Sequence, residues 1–307
     1  MTTAFITHRD CRLHDMGSHH PECPDRLAAI QDRLIAAGLD QYLQHHDAPL
    51  AEQEQLLRAH AAEYIEQLRA IAPAHGTVHL DADTAMSPGT WQAALRAAGA
   101  GVLGVDLVMR GTAANAFCAV RPPGHHAGRG RAMGFCFFNN IAIAARHATD
   151  CHGLQRVAIV DFDVHHGNGT EDILAGDGRA LMVGSFQHPF YPYSGDKSAA
   201  GNICNVPLPA GTRGDAFRAM VEQRWLPRLR DFAPELLLVS AGFDAHREDD
   251  MASLGLVESD YAWVTQQIRQ VADASANGRI VSMLEGGYAL PALGRSVAAH
   301  IKVLAGL

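Results

Sequence analysis

Val157-Ala158-Ile159-Val160-Asp161-Phe162-Asp163-Val164-His165-His166-Gly167-Asn168-Gly169 is a short apolar run that stops in a cluster of carboxylates and imidazoles. Four more runs end in the same way. Ala116-Phe117-Cys118-Ala119-Val120 leads into Arg121-Pro122-Pro123-Gly124-His125-His126, and Leu181-Met182-Val183-Gly184 into Ser185-Phe186-Gln187-His188. Leu236-Leu237-Leu238-Val239 leads into Ser240-Ala241-Gly242-Phe243-Asp244-Ala245-His246, and Ile280-Val281-Ser282-Met283-Leu284 into Glu285-Gly286-Gly287-Tyr288. Fully apolar runs of this length are what a parallel sheet buried on both faces requires. In open α/β sheets ligands bind just beyond the carboxyl ends of the strands, where the crossover loops converge. The five polar clusters are therefore expected to meet in space.

Between the runs, helical spacing is legible from Pro24 to Gly38, from Leu56 to Ile71, along the Ala-rich stretch Thr90 to Met109, and around 139–148, 215–230, 259–274 and 291–304. Strands alternating with helices predict a mostly parallel sheet flanked by helices. No linker or repeat interrupts the pattern. Residues 1–307 are read as a single α/β domain, with the first 80 residues wrapped on as helices and loops.

Composition narrows the function. With 48% hydrophobic residues, 29 Gly and 14 Pro placed largely at the ends of apolar runs, the chain reads as a well-packed globule. A net charge of −8 and no dense Lys/Arg cluster argue against nucleic acid as a direct partner. No secretory leader is legible, and no run is read as approaching the ~18 apolar residues of a spanning helix. The expected location is the cytoplasm, without membrane association; a homo-oligomer is left open. The six Cys, none in Cys-x-x-Cys spacing, are read as small buried hydrophobes.

Asp163 and His165, two apart, can face one centre, and Asp244 adds a third ligand from another strand end. Two carboxylates and one imidazole suit zinc with open coordination positions. Of the His-His pairs at 19–20, 45–46, 125–126 and 165–166, only the last two follow strands; His45-His46 is read as surface and His19-His20 as a solvent-facing loop. His125-His126 after Pro-Pro-Gly offers a proton shuttle, one as base and the other as electrostatic helper. Asp161 and Asn168 are placed to fix their tautomers. Two glycines before Tyr288 let its phenol swing inward toward an oxyanion, with simple packing under the loop as the alternative. Gly99-Ala100-Gly101-Val102-Leu103-Gly104 matches a dinucleotide fingerprint but lies inside a helix, so it is read as close helix packing.

Taken together, Arg-Pro-Pro-Gly-His-His, Gly134-Phe135-Cys136-Phe137-Phe138-Asn139-Asn140, Asp-Phe-Asp-Val-His-His-Gly-Asn-Gly-Thr, Ala-Gly-Phe-Asp-Ala-His and Glu-Gly-Gly-Tyr, in this order, resemble the zinc-dependent histone deacetylase family, which includes acetylpolyamine amidohydrolases and acetoin-utilisation proteins. His20-Pro21-Glu22-Cys23-Pro24-Asp25-Arg26 is similar to the family's N-terminal His-Pro-Glu loop, with Cys23 in place of the usual Arg. The resemblance implies an arginase-like sheet of about eight strands and one zinc ion on Asp163, His165 and Asp244. It implies His126 as general base and acid and His125 as its companion paired with Asp161. It also implies a substrate tunnel walled by Phe135, beside Gly134, and by Tyr191, where relatives often carry Phe. Asn168 stands where class I enzymes carry Asp, which implies a class II-like member. A potassium ion near Ser185 and the Asp161 segment, and sensitivity to hydroxamates, are implied in the same way.

The expected reaction is hydrolysis of an N-ε-acyl-lysine side chain, with an acetylated polyamine as the alternative substrate. A ureohydrolase would need an Asp-x-Asp-x-x-Asp spacing that is absent after Leu238. A non-catalytic acyl-amine binder would have no need of Tyr288 together with paired His.

Overall fold

The computed structural model describes residues 2–307. Eight parallel strands form the central sheet: β1 (Thr3–Thr7), β2 (Leu43–Asp47), β5 (Asn115–Cys118), β6 (Val157–Asp161), β7 (Ala180–Gln187), β8 (Ile203–Leu208), β9 (Leu236–Ala241) and β10 (Ile280–Leu284). Their spatial order is β2-β1-β5-β10-β9-β6-β7-β8. A two-stranded antiparallel hairpin, β3 (Val78–His79) with β4 (Ala85–Met86), stands apart. Helices Thr90–Met109 and Asn140–Asp150 pack together on the sheet, and helices Asp25–Ala36, Glu258–Ser275 and Leu290–Ala305 form a second layer. The expected single α/β domain is what the chain forms.

Register explains why the polar clusters meet. Asp161 pairs with Ser240, Ala241 with Leu284, and Met283 with Cys118, so β5, β6, β9 and β10 stop at nearly one level. Residues just past each strand therefore emerge around one point. The order also reverses there: from β5 the chain crosses to β6 and builds outward, and β9 and β10 later fill the space between. Such a switch point leaves a crevice between diverging loops.

Several expectations are corrected. The first 80 residues are not only helices and loops, because β1 and β2 are parallel strands of the main sheet. Thr3-Ala4-Phe5-Ile6-Thr7 has the β-branched and aromatic character of a strand, but β2, with Leu43 its only aliphatic residue, forms because its backbone pairs with β1 at the sheet edge. β8 contains Asn205 and Pro207, and the proline is tolerated because this too is an edge strand. Ser185-Phe186-Gln187 continues β7 and is not a loop. The stretch from Leu56 to Ile71 divides into helices Gln53–Leu57 and Ala62–Ile71. One helix, Thr90–Met109, does reach a membrane-spanning length and apolarity; most of it is buried against β1, β5 and β10, so its apolar composition serves the core. Cys151 is exposed and Cys23 half-buried, whereas the other four cysteines are buried.

The glycines at 99–104 do serve close packing. A Cβ on Gly99 would lie 2.1 Å from the Pro49 carbonyl oxygen, backbone that cannot turn aside. Gly99→Ala should therefore destabilise the fold by about 1–3 kcal/mol through overpacking, against the ~1 kcal/mol that helix propensity alone would gain. The midpoint of urea unfolding checks this; a rise in the midpoint would contradict the packing argument.

Candidate active site

Beyond β6 the backbone turns tightly, and Asp163 Oδ1 accepts the His165 N–H at 2.8 Å. His165 Nδ1 then lies 3.1 Å from Asp163 Oδ1 and 3.2 Å from Asp244 Oδ2. Ligand atoms of Asp163, His165 and Asp244 all fall within 4.8 Å of one another, and all three residues are buried. Asp244 Oδ1 accepts the Val164 N–H, but Asp244 Oδ2 has no hydrogen-bonding partner, the nearby imidazole lacking the geometry for one. Burial and the neighbouring Asp163 carboxylate push Asp244 up to about 6. Glycine keeps the cup open: a Cβ on Gly286 would lie 2.1 Å from Asp244 Oδ2, and one on Gly242 2.1 Å from Asp163 Oδ2. Two facing carboxylates, an orphaned oxygen and an imidazole make a donor set that fits a divalent zinc-type ion.

The paired histidines stand beside this cup, with ring centroids 4.1 Å apart. His125 Nδ1 donates to Asp161 Oδ2 at 3.1 Å and His126 Nδ1 to Asn168 Oδ1 at 2.7 Å. An oxygen facing each Nδ1 leaves Nε2 of a neutral ring as the basic atom. Burial by itself lowers both pKa values. For His125 the carboxylates of Asp163 and Asp161 outweigh burial and raise it well above the usual value. For His126 the neighbouring His125 and His165 add to burial, and it falls well below. The two rings thus differ in charge preference because carboxylates offset the burial of His125, whereas neighbouring imidazoles add to the burial of His126.

Above the cup lies a pocket of about 220 Å³ lined by His125, His126, His165, Phe135, Tyr191 and Tyr288, among others. Phe135 and Tyr288 meet edge to face at 5.9 Å, and Tyr191 stands at 5.4 Å over His126. Gly134 lies against the His126 ring, where a Cβ would be 2.4 Å from Cδ2. Sequence reasoning missed three further lining residues. Phe190 stacks on His165 at 5.7 Å and shares the wall with Tyr191; Met251 and Asp83 complete the lip. None sits in an apolar run or a motif, so no periodic signal marked them. His20 is also more than solvent-facing loop, packing edge-on against Phe135 at 4.6 Å. His45-His46 lies on edge strand β2 with His45 exposed.

A buried ionic cluster supports the site from beneath. Arg121 donates to both oxygens of Glu22, and Arg26 Nη1 to Glu22 Oε1 at 3.1 Å, all three side chains fully buried. Arg26 also donates to the carbonyls of Gly287 at 2.7 Å and Glu285 at 2.5 Å, and its guanidinium lies 4.9 Å from the Tyr288 ring centroid. From the other side Asp249 Oδ2 accepts the N–H groups of Tyr288 at 2.6 Å and Ala289 at 2.9 Å. The segment bearing Tyr288 is thus clamped on both flanks. A second His-containing cluster, Asp106, His147 and His152, lies away from this pocket. Its groups are already matched to one another and to Arg58 and Arg110, so it reads as a tether between helices.

The histone deacetylase domain model matches residues 20–304. The chain belongs to the histone deacetylase family. Among curated histone deacetylase relatives, the histone deacetylase-like amidohydrolase of Pseudomonas aeruginosa is 37% identical over 93% of this chain and 81% of its own length. The polyamine deacetylase HDAC10 of Homo sapiens is 35% identical across the whole of this chain, which spans 48% of that protein. The crystal structure of the HDA15 HD domain superposes with a TM-score of 0.93 at 32% identity, covering 99% of this chain and 88% of that one. Membership makes this chain an amidohydrolase of the deacetylase type.

Two measurements test the site as built. The purified protein should carry a divalent ion that Asp244→Ala lacks, read as metal per chain; equal metal content in the two would refute the cup. Burial would raise the Glu22 pKa, but Arg121, His14 and Arg26 outweigh it and hold the carboxyl well below 4.5. A depressed folded-state pKa contributes stability that is present above about 4.5 and lost as pH falls through the folded value. Glu22→Gln should cost about 3–5 kcal/mol at pH 7 by leaving buried charge uncompensated. The gap to wild type should narrow below about pH 4.5 in urea unfolding.

Proposed function

We propose that this protein is a zinc-dependent deacylase that hydrolyses the amide of an N-ε-acyl-lysine side chain. The observation that carries the proposal is the grouping of a two-carboxylate, one-imidazole cup, His126 held by Asn168 and the Tyr288 phenol in one aromatic-walled pocket. Asp163, His165 and Asp244 would hold the ion, which supplies Lewis-acid polarisation of the amide carbonyl and brings the pKa of water to ~7. His126, its Nδ1 proton held by Asn168, accepts the water proton at Nε2. As the amide C–N bond breaks, a protonated imidazole of the pair returns a proton to the leaving nitrogen, and the amine takes up the second proton that the new carboxylic acid releases, so that amide and water become carboxylate and ammonium. His125, charged through Asp161, favours negative charge gathering on the carbonyl oxygen, and Tyr288 donates its hydroxyl to that oxygen. Phe135, Phe190 and Tyr191 exclude water from the acyl-amine stem. We further propose that a hydroxamate inhibits by occupying the same cup and pocket.

A second reading, an acetylated polyamine as substrate, is favoured by Asp83 on the pocket lip with Asp81 close by. Burial and the Asp81 carboxylate raise the Asp83 pKa, and among the described residues neither carboxylate has an ion-pair partner within 4.0 Å. A free ammonium two or more carbons from the scissile amide would answer them. The human relative named a polyamine deacetylase is consistent with it. Turnover of acetyl-lysine peptides against acetylputrescine and acetylspermidine separates the readings; failure on all of them would refute the proposal.

Tyr288→Phe should lower turnover by ~10²–10³ while metal content and substrate affinity stay nearly unchanged, because a phenol donor matters most once negative charge has formed. A trifluoroacetyl substrate, whose carbonyl needs less help, should suffer less. Equal losses on both substrates would remove Tyr288 from the chemistry.

A further inference from the structure

Glu285, at the end of β10, is a fully buried carboxylate that the proposed chemistry does not use. Among the described residues no side-chain nitrogen of Arg, Lys or His lies within 4.0 Å of its carboxylate oxygens to form an ion pair, Arg26 reaching only its backbone carbonyl. Its partners are uncharged. Oε2 accepts the backbone N–H of Gly124 at 2.7 Å and of His125 at 3.1 Å, and Oε1 accepts the Ser240 hydroxyl at 3.1 Å. Burial drives its pKa up to about 7 although His125 and the Gly124 N–H oppose the rise. Carrying such a group where an apolar side chain would fit is costly unless its acceptors are needed.

They hold the turn that carries both imidazoles. A Cβ on Gly124 would lie 2.6 Å from the Asn140 nitrogen and 2.9 Å from the Phe138 oxygen, so the turn is pressed between that segment and Glu285. The carbonyl of His125 is fixed from the opposite side by the N–H groups of Gly169 and Thr170, both at 3.1 Å. Among the described residues only Glu285 holds the N–H side of Gly124 and His125. The same residue reaches the cup through the next peptide, whose Gly286 N–H donates to Asp163 Oδ2 at 2.8 Å. One residue thus links the turn that bears the imidazoles to the cup.

We propose that Glu285 is a positioning residue: it fixes the Gly124–His125 backbone, and through it His126, over the cup by its hydrogen-bond acceptors and not by its charge. This rests on the amide hydrolysis proposed above. A carboxamide keeps the shape and one oxygen able to accept both N–H groups, and its NH₂ can donate to the Ser240 oxygen, so Glu285→Gln preserves the arrangement. Glu285→Ala removes it. Ser240→Ala leaves the carboxylate in place but free to rotate.

The three variants, purified with metal, should be compared for metal per chain, kcat and KM on the acyl amide that wild type turns over fastest, and for the amide proton signals of Gly124 and His125 in selectively ¹⁵N-labelled protein. Glu285→Ala should keep the metal and keep KM within about twofold while kcat falls by about 100-fold, the usual effect of a ~1 Å misplacement. Ser240→Ala should lose about tenfold in the same pattern, and Glu285→Gln should retain turnover within about fivefold. The Gly124 and His125 signals should stay at their hydrogen-bonded positions in the Gln variant and move in the Ala variant. Wild-type kcat in Glu285→Ala, equal losses in the Gln and Ala variants, or losses that track metal content would each overturn the proposal. If Glu285→Ala fails to fold, Gln and Ser240→Ala decide: a Gln variant as impaired as Ser240→Ala or worse overturns it. If wild type hydrolyses no acyl amide, the functional proposal fails, and the amide signals still show whether Glu285 holds the turn.

Discussion

Glu22, Asp161, Asp163, Asp244 and Glu285 are each at most 2% exposed, and they converge on one end of the sheet. Desolvating so many carboxylates in one place is the constraint on which the surrounding structure depends. Each is answered differently. Glu22 is matched by two guanidinium groups, Asp161 by the His125 imidazole, and Glu285 by two backbone N–H groups and a hydroxyl. Asp163 takes the His165 imidazole and two backbone N–H groups and Asp244 a single backbone N–H, yet one oxygen of Asp244 stays unanswered. Among these five carboxylates, that unanswered oxygen is where a cation fits.

The same constraint explains the rigidity of the neighbouring loops. Arg26 reaches across from the first helix to two carbonyls flanking Gly286, and Asp249 takes the next two N–H groups, so the peptide chain around Tyr288 is held by side chains from distant parts of the sequence. The role proposed for this phenol, meeting a developing charge, requires such holding, because a donor that must reorganise during the reaction loses much of its effect. Glycine at 286 and 242 is required by the carboxylates packed against it, and not by turn formation alone.

Much of this was legible in the sequence, for reasons that differ by residue. The five central strands are buried on both faces and read as unbroken apolar runs, and the cup and imidazole residues follow directly on their ends. β2 and β8 carry no unbroken apolar run, because edge strands draw their stability from pairing with neighbours distant in sequence; β1, inside the sheet, has the composition of a strand and was missed only because no motif follows it. Phe190, Met251, Asp83 and Asp249 come from irregular loops, whose course depends on what they pack against. Arg26 and Glu22 were visible within a motif, but that a surface-type Arg–Glu pair would lie fully buried under the pocket required the tertiary structure.

The order of strands has a consequence for how the chain reaches this state. β10, the last strand in the sequence, lies in the middle of the sheet between β5 and β9, strands separated from each other by more than a hundred residues. A nascent chain emerging from the ribosome can assemble β6 to β9 as one block and β1, β2 and β5 as another, but each presents a bare hydrogen-bonding edge until β10 arrives. Closure of the sheet, completion of the ligand cup and delivery of Tyr288 are then a single late event. A truncated or stalled chain would expose two sticky apolar edges and no chemistry, which makes the final segment the point at which newly made protein is most exposed to aggregation and most dependent on protection.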